Sequence, residues 1–381
     1  MIRRKLILAA ATFAAVFVIV EVAATVALGS KFRRGVIPRL TWSDAGQREP
    51  ERGWAMRPGL RAEIIGPHPP YDVALDSRGY RQPERSSERA NGAARVLALG
   101  DSLLFGWGVQ ADERCMDLVG AALERQLGRP VEVWNLATPG YSTDQELWTY
   151  EMHGRALRPD VVVLCVAMND VPIAETATFR TLGKPRLVQE GERWVRREAP
   201  PDVVVPRQLP LLVRASRWSA LAAWLRLRRE PPPDAPFEFP ARVPWNERGA
   251  RAIADATAAQ AAKFLDPSAP VHEALRRLAE ELRADGVPLV LMSMPFNHDP
   301  YLMDPRFDGP PEGRLEGALS RTIRALAAQI GAECVTVDEA LGREAAAGVL
   351  LHVGDGHPNP RANELMAEAL EPVLARLLKR S

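Results

Sequence analysis

The chain has 381 residues, which allows one large domain with insertions or two ordinary ones. Apolar residues make up 46%, enough for a sizeable core, and Lys+Arg 49 against Asp+Glu 48 leaves no basic surplus of the kind that marks a nucleic-acid binder. The three cysteines and six histidines show no metal-ligand or disulfide spacing, so no zinc site or disulfide framework is expected.

Arg3, Arg4 and Lys5 precede an apolar run from Leu6 to Leu28 that only Thr12, Glu21 and Thr25 interrupt. Its length suits a transmembrane helix better than the shorter apolar core of a cleaved leader. Residues 1–30 are therefore expected to be an uncleaved, single-pass inner-membrane anchor; Lys31, Arg33 and Arg34 after the span nearly balance the basic start and set the orientation only weakly, and the rest of the chain is expected in the periplasm. Cleavage after Ala27-Leu28-Gly29 would instead give a secreted protein. Glu21 is expected at the membrane interface. Residues 31–92 are polar and turn-rich and read as a linker and N-terminal extension, with one extended piece at Tyr71–Leu75.

From residue 93 the pattern alternates. Strands are predicted at Arg95–Leu99, Val131–Leu136, Val161–Ala167, Pro288–Met294 and Cys334–Val337. Helices are predicted at Glu113–Leu127, Thr143–Leu157, Val271–Ala284, Leu315–Ile330 and Pro360–Lys379. "VVVLCVA" is continuously apolar, as a parallel strand buried on both faces requires. Right-handed crossovers then give a three-layer αβα domain around a five-stranded parallel sheet, spanning 93–381. A proline-rich insertion at 171–265 interrupts it after the third strand. Its basic amphipathic segment "LLVRASRWSALAAWLRLRR" is expected to dock on the enzyme as a cap helix, with a membrane surface as the other possibility.

In such sheets, sites form at the carboxyl ends of the strands. Four polar stretches should meet there. "GDS" holds Asp101 and Ser102, and "NLATPGYSTDQE" holds Asn135 and Gly140. "AMND" holds Asn169 and Asp170, and "GDGHPNP" holds Asp355 and His357. A serine hydroxyl becomes a nucleophile when a neighbouring base takes its proton, and histidine titrates near neutrality. Asp101 reads as a brace, Asp170 as a loop stabiliser, Trp107 as packing, and His298 as a weaker rival base.

The four blocks, in this order, resemble the SGNH hydrolase superfamily of GDSL-type esterases and lipases. "DSRGYR", "GYSTDQELW" and the apolar leader resemble its membrane-tethered bacterial branch. The resemblance implies the flavodoxin-like SGNH fold and acyl-serine chemistry without a cofactor or metal. It makes Ser102 the nucleophile and His357 the base. Asp355 becomes the acid partner, and Ser102, Gly140 and Asn169 the oxyanion donors. Most members place the acid three residues before the histidine; here residue 354 is Gly and Asp355 stands two before, so a turn cap is its other reading. The expected substrate is an extracytoplasmic ester of a small molecule, glycan or lipid, with a membrane contact through the N-terminal helix and no nucleic acid. The alternatives are an O-acyltransferase of an exported polysaccharide and a non-catalytic scaffold of a surface-polymer assembly system.

Overall fold

The computed structural model describes residues 2–28, 39–40, 45–66, 68–179, 182–200, 211–216, 218–229, 256–294, 317–353 and 356–379. Its centre is a five-stranded, all-parallel sheet: β1 (Ala94–Leu99), β2 (Val131–Asn135), β3 (Val161–Val166), β4 (Leu289–Ser293) and β5 (Glu333–Thr336), in the order β2-β1-β3-β4-β5. Every residue of β1, β3 and β4 is buried, which explains their uninterrupted apolar sequence. The strand order reverses between β1 and β3, and the crevice at that switch point is where a doubly wound sheet builds a site.

Side chains alternate across β1. Val96 and Ala98 enter one core with α3 (Cys115–Leu127) and α11 (Pro360–Leu378), whereas Leu97 and Leu99 enter the other with α4 (Thr143–Thr149), α8 (Pro270–Ala284) and α9 (Ala318–Ile330). Helix α3 ends at Gly128, whose left-handed backbone (φ 62°) returns its N–H to Glu124 O. Helix α4 starts at Thr143, as predicted, and Ser142 is its cap, in a reciprocal box with Gln145. It is shorter than predicted, giving way to a wide turn at Tyr150–Gly154 and a tight one at Arg155–Leu157.

Two expectations need correction. The stretch read as a linker is folded onto the domain. It carries hairpins Gly46–Glu49/Gly53–Met56 and Arg61–Gly66/His68–Ala74, with Arg39–Leu40 pairing in parallel with Arg61–Gly66. Trp54, Tyr71 and Tyr80 anchor it in the interior. The N-terminal segment is a helix, α1 (Ile2–Leu28), but among the described residues no helix is long and apolar enough to cross a membrane. Glu21, expected at a lipid interface, is used inside the protein. Its carboxylate accepts from Ser219 Oγ, from Ala220 N (2.7 Å) and from Leu221 N (3.4 Å), at the N-terminus of α7 (Ala220–Arg229). The basic stretch of the insertion is consequently two helices, α6 (Leu211–Ala215) and α7, rather than one.

"DSRGYR" fastens the extension to the body. Asp76 accepts from Arg78 N, Tyr80 N and Gln82 Nε2 at 3.0, 2.8 and 2.9 Å. Tyr80 Oη lies 2.5 Å from His153 Nδ1 and accepts from Arg52 Nη1 at 2.8 Å. Burial, then the charges of Arg52 and Arg78, push the His153 imidazole down to about 4. The unfolded chain takes up that proton near pH 6.5, so between roughly pH 6.5 and 4 it binds more protons than the folded one, and stability falls as pH drops through this window. We expect the melting temperature to fall less steeply from pH 6.5 to 4.5 in His153→Gln than in the wild type. Parallel profiles would refute this role.

Candidate active site

The strand–turn–helix unit at the end of β1 presents Ser102. Asp101 is the N-cap of the short helix α2 (Ser102–Phe105), its Oδ1 accepting from Leu103 N at 2.9 Å. Arg81, the last residue of "DSRGYR", is buried and holds the chain that follows: Nη1 donates to the carbonyls of Phe105 (3.2 Å) and Gly106 (2.6 Å), and Nη2 to those of Val109 (2.8 Å) and Asp72 (2.7 Å). The turn carrying the serine is thus locked from both ends.

His357 arrives from the loop before α11. Its carbonyl accepts from Val353 N at 2.8 Å, and Asn359 caps α11 by accepting from Ala362 N at 3.0 Å. His357 Nε2 lies 2.8 Å from Ser102 Oγ. The indole of Trp107 covers the imidazole, ring centroids 5.6 Å apart. Residues 354–355 lie outside the described residues, and so does His298; Asp355 and the rival base are therefore not located.

The other two blocks flank the serine. The loop after β2 is tied to β1 by Leu136 N donating to Ala98 O and Thr138 N to Gly100 O, both at 2.9 Å, and Asn135 Nδ2 donates to Leu104 O at 2.7 Å. Gly140 stands in this loop at φ 79°, a backbone that glycine adopts without strain. Beyond β3, Asn169 Nδ2 donates to Asp101 Oδ2 at 2.7 Å. An amide carries two such donors, so this bond orients the group and leaves its second N–H for a ligand. Burial raises the Asp101 carboxyl, while Asn169, Leu103 N and His357 oppose it. Asp170 closes its own turn by accepting from Ala167 N at 2.9 Å. Burial foremost, with neighbouring carboxylates, holds Asp170 and Glu146 well above the usual carboxylate range.

Together, these contacts put a serine hydroxyl against an imidazole, with Asn169 fixed through the residue preceding the serine. The model of the GDSL-like lipase/acylhydrolase family matches residues 98–287. The chain belongs to that family. It is a hydrolase acting on ester bonds. Among curated proteins no relative matches it. Solved structures similar in part include TesA (18% identity, 74% of this chain and 99% of that one, TM-score 0.38) and the psychrotrophic esterase EstA from Pseudoalteromonas sp. (12%, 75% and 98%, 0.36). A third is a variant of an acetyl-xylooligosaccharide esterase from Geobacillus Stearmophilus (13%, 73% and 92%, 0.36). At these scores the membership rests on the family model.

Sequence reasoning missed the residues that hold the loops. Lys184 Nζ donates to Asp144 Oδ2 at 2.7 Å with both side chains fully buried, joining the insertion to the loop of Gly140. Asp144 also accepts from Ser142 Oγ (2.5 Å) and Gln145 N (2.9 Å). Trp54 Nε1 donates to Pro139 O at 3.0 Å, and Tyr141 Oη to Trp54 O at 2.5 Å. Only the aromatic and charged letters of "GYSTDQE" hinted at such partners.

Proposed function

We propose that the protein cleaves esters through an acyl-serine intermediate formed on Ser102, with His357 as the proton carrier. The observation that carries this is the 2.8 Å approach of His357 Nε2 to Ser102 Oγ at the end of β1. As Oγ bonds to the ester carbon, its proton passes to Nε2. The carbonyl oxygen becomes an oxyanion in reach of the N–H groups of Ser102 and Gly140 and the Asn169 amide. When the C–O bond to the alcohol breaks, His357 returns the proton to the departing oxygen. Water then repeats the sequence and releases the acid. One such oxyanion donor is worth about 3–4 kcal/mol in a protease that uses them. Asp355 is the acid assigned to His357 by its place in "DGHP", where it would fix the tautomer and steady the imidazolium.

The proposed setting is extracytoplasmic, with an acylated glycan or lipid as substrate. Support comes from the basic start of the chain and from Phe13, Val16, Val18, Ile19, Val22 and Val26 of α1, which stand exposed and favour contact with a membrane. Transfer of the acyl group to a sugar hydroxyl instead of water would share the first half-reaction.

The test uses the full chain. It should turn over p-nitrophenyl acetate and take one fluorophosphonate per molecule, mapped to Ser102 by peptide mass. Equal labelling of Ser102→Ala would sink the assignment. Recovery of the chain from washed bacterial membranes, rather than the soluble fraction, tests the setting.

A further inference from the structure

The insertion starts at the site itself. Helix α5 (Asp170–Glu175) follows Asn169 directly, and a two-stranded ribbon, Thr178–Phe179 with Leu182–Gly183, comes next. Phe179 folds back onto Gly140. A Cβ built on Gly140 would lie 2.7 Å from Phe179 Cε1 and 3.0 Å from Cζ, so the ring edge occupies the space a side chain there would need. By standard bond lengths a Cβ sits about 2.5 Å from its own nitrogen, which brings the ring edge within about 5 Å of the Gly140 N–H. An oxyanion held about 3 Å from that N–H is therefore within about 8 Å of the ring.

This wall is fixed rather than hinged. Phe179 stacks on the fully buried Trp54 (centroids 5.0 Å apart, planes 23°), which is itself bonded to the Gly140 loop on both sides. The Lys184–Asp144 pair pins the end of the ribbon, and the backbone of Gly53 comes so close that a Cβ there would stand 2.7 Å from Lys184 Cβ.

Trp107, which covers the His357 imidazole, and Phe179, which borders Gly140, both pack against the Trp54–Tyr141 pair. His357 comes from the face covered by α3 and α11, whereas the insertion continues onto the other, where Leu187 packs with α4 and α8. The departing alcohol must lie on the side of His357, since that residue returns its proton. Of the four directions at the tetrahedral carbon, one is Ser102 Oγ, one the oxyanion and one the alcohol. The remaining one, pointing away from His357, is left for the acyl chain, and Phe179, which borders Gly140 rather than His357, is the side chain the geometry offers it.

Resting on the acyl-serine reading above, we infer that Phe179 is the specificity-determining residue for the acyl group. It closes the acyl side, admits acetyl to butyryl esters and rejects long chains. The experiment holds the leaving group constant and measures kcat/KM of the full chain on p-nitrophenyl acetate, butyrate and octanoate. The wild type should favour acetate over octanoate by about 100-fold or more, and Phe179→Ala should raise the octanoate-to-acetate ratio at least about 10-fold, since a single methylene in a tight pocket is worth about 10–200-fold. Phe179→Trp adds bulk on the same side and should lower the butyrate-to-acetate ratio, which reads the wall even if the alanine variant folds poorly. A wild type that takes octanoate as readily as acetate, or ratios unmoved in both variants, would overturn the inference. Failure of the underlying chemistry is seen separately, as a Ser102→Ala variant that still hydrolyses acetate at the wild-type rate.

Discussion

Ser102→Ala and His357→Ala should each lower kcat on p-nitrophenyl acetate by about 10⁴–10⁶-fold, and the double variant should be no slower than the worse single one. The two side chains lie 2.8 Å apart, and in the proposed reaction one proton passes between them, so removing either should remove the function of both. What survives is the rate given by substrate binding and the oxyanion donors, which neither substitution deletes. Steady-state kinetics on the four proteins closes the cycle. Additive losses, with the double variant slower than the worse single by a further factor near the smaller loss, would mean that the pair does not act as a unit. In that case His357 serves packing beneath Trp107.

Lys184→Met should destabilise the fold by about 3–5 kcal/mol, because it leaves the carboxylate of Asp144 buried without its charge partner. The ammonium is itself under strain of a defined kind. Burial pulls Lys184 below its usual value, and Asp144 is what draws it back. Pairing Lys184→Met with Asp144→Asn removes both charges and should restore most of the loss. Urea unfolding of the two single variants and the double reads this directly. The same series read on p-nitrophenyl acetate should show kcat falling in Lys184→Met and recovering in the double, since Asp144 orders the loop that presents Gly140. Equal unfolding midpoints for wild type and Lys184→Met would refute the clamp.

The sheet was legible because its strands are buried on both faces. Val161–Val166 has no polar residue to confuse with a surface strand, and the predicted bounds of all five strands lie within two residues of those observed. The meeting of Ser102 with His357 was legible too, once topology put both at one edge. What escaped was decided by distant partners. Arg52, Trp54 and Tyr80 sit among polar, turn-forming letters, and only the body they pack against makes them core. The helix Asp338–Ala346 was not foreseen; its first residue spends its carboxylate on Gly317 N (2.7 Å) and Ser320 Oγ, contacts that no local window contains. The break between α6 and α7 likewise answers to Glu21, some 200 residues away in sequence.

That last contact makes the N-terminal helix a support of the insertion. A peptidase that trimmed the chain beyond Glu21 would remove the acceptor for three donors at the start of α7 and expose Ala220 and Ala223, which now pack against Ala24. The first turn of α7 would then have to find water or fray. Trp218, two residues from that turn and almost fully exposed, is placed to report it as a change in fluorescence. The first helix is thus part of the fold: truncation at the front of the chain would be felt in the middle of it.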